Sequence, residues 1–265
     1  MMRFFIDGIG LLGPGLDGWA ASRDVLACNA PYLSAPTNMR ASDILPANER
    51  RRVGVPIKLA LAVGQEAFQQ AGRDPKAAAA VFTSSGGDND NMHAINNILA
   101  TAPREMSPTR FHNSVHNAAV GYWCIATESR EPSTSLCAHD ASFAAGLLES
   151  SVQVTVDDAV VVMIAYDHPY PEPMNSVRPV SAAFGMALIL TPKRSATSLA
   201  VIEVNFVPGK TDETTMKEAG LEALRRGVPA ARGLPLLSAL SSGKDTQIKI
   251  GYFNDNHLNI RVTPC

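Results

Sequence analysis

The sequence predicts an α/β protein: a mainly parallel mixed sheet covered by helices. Three observations predict it. Residues 77–83 (Ala-Ala-Ala-Ala-Val-Phe-Thr) and 159–165 (Ala-Val-Val-Val-Met-Ile-Ala) are apolar at every second and every intervening position, as strands covered on both faces must be. Helical patterns alternate with such strands along the chain. Finally, 265 residues, 46% of them hydrophobic, bury a core without disulfide or metal staples.

Each element has its own signal. Residues 4–9 form an apolar strand running into the loop Gly10-Leu11-Leu12-Gly13-Pro14-Gly15, and residues 19–26 a short helix. Residues 29–40, with Pro31 and Pro36, are loop, and Ser42 caps the helical stretch after it. Across residues 49–71, Val53, Ile57, Leu61, Val63, Ala67 and Phe68 recur at helical spacing up to Gly72, and Pro56 kinks or restarts that helix. The strand 77–83 delivers the loop Ser84-Ser85-Gly86-Gly87-Asp88, where Asp88 or Asn89 caps a helix reaching Ala100. A helix over 113–126 comes after the Ser107-Pro108 turn, then a strand over 133–138, a small-residue helix over 141–154 and the strand 159–165. Beyond a loop at 168–179 come strands over 185–190 and 199–206. From Pro208 the pattern changes to a charged helix over 214–226, a Pro/Gly-rich stretch and a hairpin. In the hairpin Ile248, Ile250 and Tyr252 alternate on one arm and Leu258, Ile260 and Val262 on the other, across Asn254-Asp255-Asn256.

Composition excludes several classes. A net charge of −2 and a pI near 6.3 leave no basic footprint for nucleic acid. The cysteines Cys28, Cys124, Cys137 and Cys265 have neither CxxC nor Cys/His ligand spacing, so free thiols in a reducing cytoplasm are expected. Asp7 and the glycines after it break the apolar start before it reaches signal-peptide length, and no later run approaches the roughly 18 residues of a membrane span. The expectation is a cytoplasmic, soluble protein without membrane contact. Ser84-Ser85-Gly86-Gly87 lacks the lysine and the spacing of nucleotide loops, so no cofactor is expected. The run Glu49-Arg50-Arg51-Arg52 reads as a solvated helix end, with partner docking as the alternative.

The segment 131–146 carries the most chemistry. A strand ends near His139 and a helix of small residues begins near Ala141, a junction that exposes a side chain at the positive end of a helix dipole. Cys137 with His139 is one candidate nucleophile pair. Two apart in a strand, their side chains share a face but stand roughly 7 Å apart, beyond hydrogen-bond reach. Cys137 as a small strand residue and Asp140 as a helix N-cap are the simpler readings. His112 and His116, four apart, share a face of the expected helix; without an accompanying carboxylate they read as pocket or interface lining, and no metal site is expected.

Residues 4–14, Ser107-Pro108, residues 117–121, Glu131-Pro132-Ser133, residues 158–163 and residues 184–190 succeed one another in the order and spacing of a known family. The chain resembles the N-terminal half of a β-ketoacyl synthase of the thiolase superfamily, in the short branch of chain-length factors of polyketide and aryl-polyene pathways. The resemblance covers roughly residues 3–207. It implies a thiolase-like half fold over 1–207, with residues 208–265 as an extension packed on the same domain. Synthases of this family carry a nucleophilic cysteine nine positions after the glycine of a Gly-Pro-Ser element. Here Glu131 stands for that glycine, and Asp140 occupies the nucleophile's place. The two histidines that polarise the thioester are not found, since His257 has no HGTGT-like surroundings. The resemblance therefore implies a non-catalytic subunit pairing with an active ketosynthase as a heterodimer, reached by acyl carrier protein through that partner. Ser133, Ser135, Cys137 and His139 would form the dimer strand; Phe111, His112, Val115 and His116 would line the acyl tunnel. An autonomous acyltransferase or hydrolase using Cys137 with His139 or His116 is the alternative.

Overall fold

The computed structural model describes residues 1–39 and 43–265; the expected cap Ser42 lies outside the described residues. Its strands are β1 (Met2–Gly13), β2 (Leu16–Asp17), β3 (Ala79–Thr83), β4 (Ser133–Leu136), β5 (Val161–Asp167), β6 (Phe184–Thr191), β7 (Ala200–Val207), β8 (Thr246–Gly251) and β9 (His257–Pro264). All nine belong to one sheet in the order β4-β3-β5-β6-β1-β7-β9-β8, with β2 folded back on β1. β3 is parallel to β4 and β5; the other pairs are antiparallel. Across the sheet, β4, β3, β5, β1 and β9 run one way and β6, β7, β8 and β2 the other: the sheet is mixed as expected, but its parallel part is confined to β4-β3-β5, because β6, β1, β7, β9 and β8 each pair antiparallel with their neighbours.

The helices are α1 (Trp19–Leu26), α2 (Ala47–Arg50), α3 (Val55–Ala71), α4 (Asn89–Ala100), α5 (Pro108–His112), α6 (Ala118–Thr127), α7 (Ser142–Val156), α8 (Met174–Val177), α9 (Ala219–Gly227) and α10 (Leu234–Ser242). Strand alternation divides the core in two. Val161, Met163 and Ala165 face the layer of α1, α7, α9 and α10, where Phe143, Leu221 and Leu236 are buried. Val162, Ile164 and Tyr166 face α3 and α6, where Val63, Phe68 and Trp123 are buried. The outer strands β7, β9 and β8 are covered on one face only, and their alternate residues Glu203, Arg261 and Lys249 stay partly or wholly exposed.

Several elements differ from expectation for identifiable reasons. β1 continues through Gly10 and Gly13, read as loop, because Gly10, like Gly8 within the expected strand, lies against the backbone of α3, where a Cβ would collide with the carbonyls of Val63 and Ala67. Gln70 accepts from the amide of Ile9 at 2.6 Å, and Glu66 from those of Leu11 and Trp19 at 3.0 and 2.6 Å, fixing α3 to β1 and to the start of α1. Pro56 restarts the helix: it occupies the first turn of α3, where its missing N–H costs no hydrogen bond. Gly72, at φ 62°, ends α3 in the left-handed region. Residues 113–117 are not helical. There Asn113 donates to the carbonyl of Arg52 at 2.7 Å and accepts from the Tyr122 hydroxyl at 3.0 Å, tying the backbone to other partners. In the C-terminal part α9 is shorter than expected, begun by Glu218, whose carboxylate accepts from Leu221 N at 2.7 Å. The Pro/Gly-rich stretch holds α10, with Pro235 in its first turn. The hairpin forms as expected, its turn using the positive φ of Asn254 and Asp255. No helix among the described residues is long and apolar enough to cross a membrane.

Candidate functional site

The parallel strands β3, β4 and β5 end side by side, and the loops leaving their carboxyl ends build the site, the usual place for ligands on such sheets. At its centre Asp167, the last residue of β5, is 2% exposed. Its Oδ1 accepts from Ser84 Oγ at 3.1 Å, Ser85 N at 2.8 Å and Ser85 Oγ at 2.8 Å. Its Oδ2 accepts from Ala230 N at 2.8 Å, which ties the C-terminal part of the chain to this loop. Burial pushes the Asp167 carboxyl above the usual range, against the pull of the four donors.

From Ser85 the polar chain continues outward. Its hydroxyl lies 3.1 Å from Tyr170 Oη, and Tyr170 in turn favours the charge on Arg178. Arg178 Nη2 donates to Asp140 Oδ1 at 3.0 Å. Burial opposes the charge on Arg178, but Asp140 and Tyr170 outweigh it and hold the guanidinium more firmly protonated than usual. Asp140 is therefore no helix cap. The turn is closed instead by Ser142, whose Oγ accepts from Ala138 N at 3.1 Å and donates to the carbonyl of His139 at 2.7 Å. His139 sits at φ 50°, a left-handed conformation costing a non-glycine residue of order 1 kcal/mol. Its ring is exposed, with Nδ1 3.7 Å from Asp140.

The strand β4 stops at Leu136, so Cys137 and His139 lie beyond it and do not share a strand face. Cys137 is exposed, and its thiol donates to the carbonyl of Ser85 at 3.3 Å. Among the described residues no imidazole bonds it. His116 Nε2 lies 3.0 Å from the carbonyl of Leu136, while the ring of His112 packs edge-on to Tyr122 at 6.1 Å. These histidines flank the break after α5 rather than sharing a helix face, and no metal-ligating cluster occurs among the described residues. Phe111 and Val115 are exposed beside them.

A family of β-ketoacyl synthases, described by its N-terminal domain, matches residues 19–250. The chain belongs to this family. The match starts with α1 and ends within β8, and so runs past residue 207. No curated protein matches the chain. Among solved structures, a ketosynthase in complex with its chain length factor from Xenorhabdus doucetiae is 19% identical with a TM-score of 0.75, over 98% of this chain and 100% of that one. A type II polyketide acyl-carrier protein in complex with its ketosynthase is 10% identical with a TM-score of 0.78, over 100% and 99%. The ishigamide ketosynthase/chain length factor is 13% identical with a TM-score of 0.73, over 100% and 99%. These likenesses establish the ketosynthase fold. Within this β-ketoacyl synthase family member, sequence reasoning names Cys137, His116 and Asp140 but misses Arg178, Tyr170 and Asp167. The signal for Asp167 is a carboxylate closing an otherwise apolar strand.

The edge strand β4 is shorter than the expected strand 133–138 and is mostly polar. Its side chains are Ser133, Thr134, Ser135 and Leu136; the apolar surface comes from its flanks, Ile125 on the uncharged helix α6 and Val152 and Val156 on α7. Pro132 O accepts from Ala80 N of β3 at 3.0 Å and Leu136 O from Ser84 N just after it at 3.2 Å, so strand alternation turns the N–H and C=O of Ser133 and Ser135 outward.

Proposed function

We propose that this protein is a non-catalytic ketosynthase-like subunit, a chain-length factor that pairs with an active β-ketoacyl synthase and shapes the acyl tunnel in polyketide, aryl-polyene or fatty-acid-like synthesis. The observation that carries the reading is Asp140. At the position the family resemblance assigns to the nucleophile stands a carboxylate bound to Arg178. A carboxylate so paired is a poor acceptor of an acyl group from a thioester, and Tyr170 and Ser85 hold its counter-ion in place. The solved neighbours that contain a chain length factor support the same reading.

In this reading β4 pairs with the partner through the outward groups of Ser133 and Ser135, and Cys137 and His139 continue that interface. Phe111, His112, Val115 and His116 project toward the tunnel, where their bulk sets chain length. The acyl carrier protein reaches the pair chiefly through the synthase. Residues 208–265 act as an extension of the 1–207 unit, supported by the β7–β9 pairing and by the Asp167–Ala230 bond. The protein works in the cytoplasm. The rival reading, Cys137 as an autonomous nucleophile, is not favoured, because the thiol bonds a carbonyl rather than a base.

Co-expression with β-ketoacyl synthases and size-exclusion chromatography of the product test the proposal. A stable heterodimer whose product is unchanged by Cys137→Ala is expected. Acylation of the purified chain alone on Cys137 by an acyl-carrier-protein thioester, seen by intact mass, would overturn it.

A further inference from the structure

Among the described residues, six other than glycine have a positive φ: Cys28, Glu128, His139, Asp158, Asn254 and Asp255. Five of them sit where the chain reverses. Cys28, Glu128 and Asp158 close the C-terminal ends of α1, α6 and α7, and Asn254 and Asp255 make the hairpin turn. His139 has neither reason. It lies between the end of β4 and the start of α7, where the chain enters a helix and no left-handed residue is called for.

The turn around His139 is braced from several sides. Cys137 donates to the carbonyl of Ser85, Ser142 bonds both Ala138 N and the carbonyl of His139, and Ala141 N donates to the carbonyl of Ala138 at 2.9 Å. Thr83 Oγ1 donates to the carbonyl of Ser142 at 2.7 Å, and Arg178 holds Asp140. None of these bonds uses the imidazole. The His139 side chain is 62% exposed, three residues beyond the end of the open strand β4, and the Asp140 carboxylate stands 3.7 Å from its Nδ1. That carboxylate favours the proton on Nδ1, which leaves Nε2 of the neutral ring as an acceptor.

A costly backbone conformation, over-determined by its surroundings and displaying an exposed ring, marks a residue kept for contact rather than for the fold. We propose that His139 is a recognition residue of the pairing surface, its Nε2 accepting a hydrogen bond from an N–H donor of the ketosynthase partner. The inference rests on the pairing proposed above and adds to it the chemistry of one contact. The partner's group is neutral or cationic, because Asp140 stays half exposed beside the ring and an acidic group there would meet like charge. A turn already fixed in the free chain loses little entropy on association, so a single bond at this position contributes nearly its full strength to affinity.

The test compares His139→Gly, His139→Asn and His139→Gln in the full chain, each titrated by calorimetry with the β-ketoacyl synthase that forms the heterodimer in the co-expression above. Glycine and asparagine accept the left-handed region, so neither should lower the thermal midpoint. Both lack an acceptor at the place of Nε2 and should weaken pairing about tenfold, the loss of one interfacial hydrogen bond. Glutamine, whose Oε1 reaches about as far from the backbone as Nε2, should pair within about threefold of the wild-type chain. A role confined to the fold would give the opposite pattern, lowered midpoints with unchanged affinity, and would overturn the proposal. So would wild-type affinity in His139→Gly or His139→Asn, or no recovery in His139→Gln, and each of these results leaves the pairing itself standing. Failure of the wild-type chain to pair with any synthase would remove both.

Discussion

At the β8 end of the sheet the chain covers its own edge, whereas at the β4 end the outward groups of Ser133 and Ser135 face away from the sheet. Over β8, Thr214 N donates to the carbonyl of Lys249 and Thr214 Oγ1 accepts from Lys249 N, both at 2.9 Å. Lys249 Nζ adds a bond to Thr211 Oγ1 at 3.0 Å. Beside β4, the neighbouring His116 reaches only the carbonyl of Leu136, on the side already facing β3. An uncovered edge is a template for another strand, and proteins normally blunt it with charge, proline or a covering segment. The covered edge obeys that rule. The open one carries small hydroxyl side chains, flanked by the apolar Ile125, Val152 and Val156. Under the proposed pairing, the contrast gives folding to one edge and association to the other.

The sharpest way to break this contrast is Ser135→Pro. The amide of Ser135 points outward, so proline removes no bond within the sheet and is tolerated at an edge, but it denies a donor to an incoming strand and places its ring in that strand's path. The variant should keep a near-native circular dichroism spectrum and lose affinity for the proposed ketosynthase partner about a hundredfold, roughly 2.8 kcal/mol. Unchanged co-elution on size exclusion would show that β4 is not the pairing edge.

Next in size is Asp167→Asn, which cuts the polar link between the covered and the open halves. Asparagine has one acceptor oxygen, so its amide would face an N–H donor, either Ser85 N or Ala230 N. The expected loss is about 2 kcal/mol, read by denaturant unfolding. The pH dependence gives a second readout. The folded state binds the Asp167 proton more tightly than the unfolded chain does. Its contribution to stability therefore declines as pH rises from about 3.9, the unfolded value, through the raised folded pKa. The variant should lack this falling component; an identical pH slope in both proteins would show that Asp167 does not titrate in that window.

How much of this is legible in the sequence depends on whether the signal is local. Strands β3 and β5, helix α1 and the hairpin β8–β9 are legible because periodicity and turn residues carry them. β1 reads too short in the sequence because Gly10 looks like a loop residue until α3, some 55 positions later, is packed on it. Residues 113–117 look helical because the partners of Asn113, the carbonyl of Arg52 and the hydroxyl of Tyr122, are set by tertiary structure. In the site, Cys137 and Asp140 stand out by their place in one segment. Arg178 does not, since it reaches Asp140 across 38 residues. Long-range polar pairing of that kind has no local pattern.

The smallest expected effect lies at the covered edge. Thr214→Val keeps the shape of the side chain and the bond from its own N–H to Lys249 O, but removes the oxygen that accepts from Lys249 N. One partly exposed amide is then left to water, a cost of about 1 kcal/mol. Because the backbone bond and the Lys249–Thr211 contact remain, the covering segment should stay in place. The variant should show a slightly lower unfolding midpoint, monomer elution when purified alone, and unaltered affinity for the proposed ketosynthase partner. Weakened pairing in Thr214→Val would mean that the partner reads the β8 side of the sheet as well, and the division of labour between the two edges would fail.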